Sequence, residues 1–306
     1  MKNKKLFAGL TCAALLAAPT TAMAESTDVQ LIVNNGYVGS SEAEGQVYIN
    51  DAGRTMIPLR LVSETLDYET NWQPDGSIQI TSSDGTVDVT LQVSSTAYTA
   101  NGTSGNFETA PTLKNDRTYL PARDFTELYG SIYWDGDTRT VWIADSDAVQ
   151  YQAIGGKLMR ADASGIQRVA LPAGYVIETD LPYYEPLGTS RTIDGVRYLT
   201  IDCNEQDFTS PKQLFRDDGD HLTYLTDVYP SSYYVDGNTV YSTDGVNAGA
   251  WKNPVDPNRL YVTDLTTGQT TEQTVDFQIN NCTLDVVDGL LVATSSDGTV
   301  HTVNLS

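Results

Sequence analysis

The chain has 306 residues and a mass of 33.3 kDa, enough for two domains of ordinary size or one large all-β unit. Its 40 Asp and Glu against 18 Lys and Arg give a net charge of −22; the first 24 residues hold three of the lysines and no acid, so the rest stands at −25. Such a polyanion repels phosphate backbones and anionic lipid heads, which argues against nucleic-acid and membrane-surface partners.

A hydrophobic content of 40% with 18 tyrosines is too high for a disordered acidic tail. Two histidines and three cysteines leave too few ligands for most zinc, copper and histidine-based chemistry, so no cofactor and no catalysis are expected.

Residues 1–24 have the form of a secretory signal. Lys2, Lys4 and Lys5 precede an apolar stretch from Leu6 to Ala18, and Ala22-Met23-Ala24 fits an A-x-A cleavage site. About 13 apolar residues are too few to cross a bilayer core, which takes roughly 20. A secreted or cell-wall-associated product cleaved after Ala24, with no transmembrane span, is the expectation. Cys12 leaves with the leader, and the oxidising compartment then allows a disulfide between Cys203 and Cys282, or two separate buried thiols.

Between residues 28 and 147 one unit is used twice. Arg54-Thr55-Met56-Ile57-Pro58-Leu59-Arg60 is echoed 63 residues later by Arg117-Thr118-Tyr119-Leu120-Pro121-Ala122-Arg123. The register continues through Glu64 and Glu127 and, one residue shorter, reaches Trp72 and Trp134. Each β-forming run is stopped by a proline, which removes a ladder donor but is tolerated in the first turn of a helix. Leu59, Val62 and Leu66, like Ala122, Phe125 and Tyr129, then fall at helical spacing, predicting one short amphipathic helix per copy packed on an antiparallel sheet. Val29–Val33 and Val87–Val93 read as the strands that open each copy. Arg60 with Glu64, and Arg123 with Glu127, sit four apart and are expected to pair along their helices.

These residues resemble the stalk module named for the N-terminal domain of copper amine oxidases. Its repeated G/N-R-T-x-x-P-x-R, helix and W-D turn match Gly53–Arg60 with Trp72, and Asp116–Arg123 with Trp134-Asp135. The resemblance implies a small antiparallel sheet curled around a helix, and the module is expected to act as a spacer or docking element. It implies no oxidase activity, because that chemistry requires three histidines on copper and the chain has only His221 and His301.

From residue 148 to 306 helical periodicity vanishes and tight turns recur. Ile154-Gly155-Gly156-Lys157, Ile193-Asp194-Gly195-Val196, Val235-Asp236-Gly237-Asn238 and Val287-Asp288-Gly289-Leu290 read as hairpins spaced 39, 42 and 52 residues apart. That period suggests an all-β, propeller-like domain with fewer blades than usual, closed or open; a β-sandwich is the alternative.

Tyr183-Tyr184, Tyr233-Tyr234 and Trp251 are candidate ligand-stacking aromatics, against a reading in which they fill the core. Asp217, Asp218 and Asp220 are a weak calcium candidate beside His221, against a solvated turn; the Glu that would close an EF-type loop is absent. The reading is an exported, non-catalytic protein whose stalk displays a β-rich binding domain for an extracellular glycan or protein. The competing reading is an extracellular hydrolase of polysaccharide or peptide using two carboxylates.

Overall fold

A computed structural model describes residues 29–38, 45–145, 148–177, 188–201, 203, 211–229, 232–245 and 256–305. The leader at 1–24, Tyr183, Tyr184 and Trp251 lie outside the described residues. The described chain is mostly β, built as many small sheets.

The first half has three sheets. At its centre, strands Thr112–Lys114, Arg117–Pro121, Thr55–Pro58 and Tyr48–Ile49 lie side by side in that order, all antiparallel. The two proline-ended runs pair directly, Ile57 opposite Leu120, with Met56 opposite Pro121 and Pro58 opposite Tyr119. Residues 63 apart thus exchange places across the pair, which sets a local two-fold axis between Ile57 and Leu120.

Each run leads at its proline into helical backbone. Helix Leu59–Thr65 buries Leu59 and Val62, and Leu66 follows it into the core. The second copy departs from expectation: Ala122–Phe125 is 3-10 helix, and only Thr126–Tyr129 is α-helical before Gly130 ends it at φ 132°. Phe125 and Tyr129 still reach the core, where the Tyr129 hydroxyl meets Ser63 Oγ at 2.7 Å.

Five strands from Tyr68–Trp72 to Thr103–Asn106 make a second, antiparallel sheet. The third sheet orders Ser131–Asp135, Thr140–Ala144, Gln30–Val33 and Gly36–Tyr37. Here the expected all-antiparallel arrangement fails, because Gln30–Val33 runs parallel to Thr140–Ala144. More than a hundred residues separate these strands, ample for the crossover that parallel pairing needs.

The strand Thr140–Ala144 is buried along its whole length. Its side chains alternate, as a pleated strand requires. Val141 and Ile143 join the core of the first half, while Trp142 and Ala144 pack with Ile154, Met159 and Ala161 of the second. Leu31 and Val33 against Ile32 divide the same way.

Among the described residues the second half forms four antiparallel meanders. They run Gln150–Val169 (three strands), Gly188–Val228 (four), Tyr233–Thr274 (four) and Cys282–Val303 (three). The expected tight turns join the first two strands of each, with Ile154 opposite Lys157, Ile193 opposite Val196 and Val287 opposite Leu290. In the third meander the turn falls one residue later: Asp236 is still paired, opposite Thr239, and the two-residue loop is Gly237-Asn238.

The meanders stack in succession. Leu158 and Val169 of the first share a cluster with Leu199 and Phe215 of the second, and Ile193, Tyr198 and Leu214 face the third and fourth. Arg191 ties the last three, donating to the carbonyls of Tyr233 at 2.7 Å and Leu284 at 3.5 Å.

A polar girdle surrounds the apolar junction between the halves. Asn34, at φ 52°, accepts from Gln150 Nε2 at 3.0 Å and from the Asp145 amide at 3.0 Å, and its carbonyl takes Trp142 Nε1 at 2.7 Å. Asp135 Oδ2 receives Lys157 Nζ at 2.7 Å, and its Oδ1 receives the amides of Asp137 and Thr138. Burial pushes the Asp135 carboxyl up, but Lys157 and the Thr138 donors outweigh it and hold it at about 2.

Two outcomes follow from the junction. Trp142→Ala should cost about 3–5 kcal/mol in urea unfolding followed by circular dichroism, the usual range for truncating a fully buried aromatic. Because the folded Asp135 pKa lies below its unfolded value, its stabilisation is present above about pH 4 and is lost as pH falls through about 2. The stability gap between the native protein and Lys157→Met should therefore stay full above about pH 4 and shrink toward pH 2.

Candidate functional site

Two open grooves flank the Ile57–Leu120 pair, and each is built from both copies of the repeated run. The larger, of about 810 Å³, lies between the helix start at Pro58-Leu59-Arg60, the indole of Trp72, and Asp116-Arg117-Thr118 of the other run. The smaller, of about 420 Å³, lies between Pro121-Ala122-Arg123, Trp134, and Gly53-Arg54-Thr55. The lining residues correspond in sequence, at offsets of 63 or, for the tryptophans, 62.

Local chain geometry puts the tryptophans at the rims. Trp72 ends the strand Tyr68–Trp72 and Trp134 stands one residue from the end of Ser131–Asp135, each just before a turn. They remain 50% and 42% exposed, whereas Trp142 is completely buried. An indole left half in water at a groove edge offers a flat apolar face for stacking and one N–H donor.

The larger groove is polar and charge-balanced, with Arg60 and Arg117 against Glu64 and Asp116. Arg60 forms the expected ion pair with Glu64 at 3.7 Å and donates to the Thr70 carbonyl at 3.3 Å. Thr70 and Thr118 both line this groove, and the hydroxyl oxygen of each is shut off from solvent without a hydrogen-bond partner. A buried hydroxyl left unpaired costs about 1–3 kcal/mol, so the folded chain carries an unmet polar demand in the groove wall.

The smaller groove differs in detail. Ile132 occupies the place that Thr70 has in the larger one. Arg54 and Arg123 both turn to Glu108, at 3.5 and 3.7 Å. The expected Arg123–Glu127 pair is replaced by this contact; the Tyr98 hydroxyl donates to Glu127 Oε2 at 3.0 Å instead. The physical reason is the 3-10 geometry of Ala122–Phe125, which rotates Arg123 out of the four-residue α-helical register. Beside the groove, burial raises the pKa of Asp124, although the amides of Glu108 and Thr109 oppose the shift.

The other sequence candidates fall out differently. Tyr233 and Tyr234 are 1% and 7% exposed and belong to the core of the last three meanders, so they do not form a binding face. Burial pushes the Tyr233 hydroxyl up to about 12. Asp217, Asp218 and Asp220 are not gathered around a cation. Asp217 accepts from the Tyr151 hydroxyl and pairs with Arg160, Asp218 takes Arg216 Nε at 2.7 Å, and Asp220 meets His221 Nδ1 at 2.7 Å. Asp217 ends its strand while Asp218 and Asp220 lie in the bend beyond it, so the carboxylates meet different local donors, with His221 also 3.7 Å from Asp218. Among the described residues no group of three or more potential ligands could hold a metal. Cys203 and Cys282 are separate buried thiols in different clusters, rather than a disulfide.

Sequence reasoning singled out Arg54, Pro58, Arg60, Glu64, Trp72, Arg117, Pro121, Arg123, Glu127 and Trp134 as a structural motif, and the structure lines the two grooves with all of them except Glu127. Thr118 lies inside the repeated run at 117–123, whereas Thr70 and Glu108 stand outside any repeated motif. Replacing Thr118 by valine should leave the fold at least as stable, with a gain of up to about 1–2 kcal/mol in urea unfolding, because an unpaired buried hydroxyl is removed.

Residues 32–143 match the family described as the copper amine oxidase N-terminal domain, a non-catalytic stalk-type module. No curated protein sequence matches the chain. Among solved structures, the computationally designed Ika4 protein is similar at 15% identity and a TM-score of 0.29, over 52% of this chain and 84% of that one. The structure of YjhT is similar at 9% identity and a TM-score of 0.28, over 74% and 71%. Virginiamycin B lyase from Staphylococcus aureus, in selenomethionine-substituted form, is similar at 12% identity and a TM-score of 0.27, over 82% and 73%. Among the described residues no helix is long and apolar enough to cross a membrane.

Proposed function

We propose that this is an exported, non-catalytic binding protein whose stalk-type module holds a neutral polysaccharide in the groove beside Trp72, with the four meanders as a propeller-like array carried on it. One observation supports the site above all others. A half-exposed indole shares a groove with two hydroxyls that lack partners and with two guanidinium groups.

A pyranose ring answers each part of that environment. Its C–H face stacks on an indole, and its hydroxyls both donate and accept. Arg60, whose side chain is more than half exposed, is the movable group over the Thr70 wall. Drawn outward by a sugar hydroxyl, it frees the Thr70 carbonyl, beside that residue's unpaired hydroxyl, for the ligand. Charge selects a neutral polymer: the groove balances two cations against two anions, and a chain at −22 repels uronates and phosphate-bearing glycans. Equatorially linked hexopyranoses, which present an unbroken flat face, fit best. Export rests on the leader at residues 1–24.

The test is a glycan array and isothermal titration of the mature protein with cellohexaose and chitohexaose. Trp72→Ala should weaken binding at this groove at least tenfold while the chain stays folded, the lost half-buried indole costing only about 1 kcal/mol in urea unfolding. Thr118→Val should weaken binding while keeping the fold. Equal binding by the native protein and Trp72→Ala would refute the assignment.

A further inference from the structure

The geometry points to a second saccharide site, at Trp134, so that each chain is bivalent and grips a polysaccharide at two places. This inference rests on the reading of the Trp72 groove and extends it to a surface of its own.

The strand register sets the plan of both grooves. Ile57 faces Leu120, and the pairs on either side interchange the two runs, so whatever the first run builds on one side of the axis the second run builds on the other. The two prolines lie two positions apart along neighbouring strands. At about 3.4 Å per residue and 4.8 Å between strands, the grooves begin within roughly 8 Å of each other. Each combines one helix-start arginine, one exposed tryptophan, and one arginine contributed by the opposite run.

Packing alone does not account for the exposed ring. Trp142, eight residues on, shows how this fold buries an indole that serves the core, with its Nε1 satisfied by the Asn34 carbonyl. Trp134 is instead held 42% exposed at the rim of an open groove, as Trp72 is on the other side.

The differences between the grooves rank them. The smaller one has about half the volume and has Ile132 where the larger has Thr70. It offers stacking with fewer hydrogen bonds and is the weaker site. Its contribution is to retention: once the Trp72 groove is filled, a long glycan supplies further sugar units at high effective concentration to the neighbouring groove. Linked sites of this kind can raise avidity by about 10²–10⁴ without any new contact.

The experiment uses the mature protein and three variants, Trp72→Ala, Trp134→Ala and the double variant, each checked for folding by circular dichroism. Titration with the disaccharides cellobiose and chitobiose, too short to fill both grooves at once, reports stoichiometry; retention on microcrystalline cellulose and on chitin reports avidity. The expected result is two sites per native chain and one in each single variant, with none in the double variant. Trp134→Ala should keep the affinity of the stronger site while losing at least tenfold in retention on the polymer, and Trp134→Tyr should restore most of it.

A single site in the native protein, lost in Trp72→Ala and untouched in Trp134→Ala, would overturn bivalency and leave the Trp72 assignment standing. Two sites insensitive to Trp134→Ala would also overturn it. No binding of either saccharide by the native protein would overturn both readings together.

Discussion

The molecule depends on one strand with two buried faces. Thr140–Ala144 sends Val141 and Ile143 into the first core and Trp142 and Ala144 into the junction with the second half. Because a strand's side chains alternate strictly, a one-residue slip here would exchange the two sets and empty both cores at once. The same division repeats down the chain. The first meander turns Met159 and Ala161 toward the first half and Leu158 and Val169 toward the second meander, which in turn faces the third and fourth with its opposite residues. The described chain is therefore a succession of sheets, each shared between neighbouring cores. The junction is further held by Asn34, Asp135 and Lys157, whose polar groups find partners across it.

The echo of the run at 54–60 by the run at 117–123 has a consequence beyond economy of sequence. When two copies of a proline-ended strand pair with each other antiparallel, their helix starts are carried to opposite sides of a two-fold axis. Each helix start then lies beside the beginning of the other copy's strand. A groove made this way needs both copies, so neither run forms it alone. The symmetry is local. The opening strand of the first copy runs parallel to its neighbour, whereas Asp88–Gln92 pairs antiparallel with Ser77–Ser82, and the second helix begins as 3-10. These departures explain why the grooves share a plan and differ in size and lining.

Much of the local structure was legible in the residues. The prolines at 58 and 121 end strands and start helical backbone, Leu59 and Val62 take the core, and Asp194-Gly195 and Asp288-Gly289 turn their hairpins with both residues at positive φ, as such tight turns require. Turn chemistry was less decisive at Asp236-Gly237, where Gly237 can open a loop with Asn238 equally well and the ladder to the next strand settled the choice. The tyrosine pair at 233–234 and the acidic run at 217–220 were ambiguous for a common reason. Whether a tyrosine stacks on a ligand or fills a core, and whether carboxylates converge or disperse, depends on which neighbouring sheet faces them.

By itself the sequence determined the repeat, its register of 63, the strand and turn periods, and the strong negative charge, because each is set by neighbouring residues or by simple summation. Only the tertiary structure decided that Trp72 and Trp134 stand at groove rims while Trp142 is enclosed. It also decided that Thr70 and Thr118, 48 positions apart, leave unpaired hydroxyls in one groove wall. Exposure and convergence are properties of distant chain segments brought together, and alternation along a strand specifies which side a residue takes without saying what lies there.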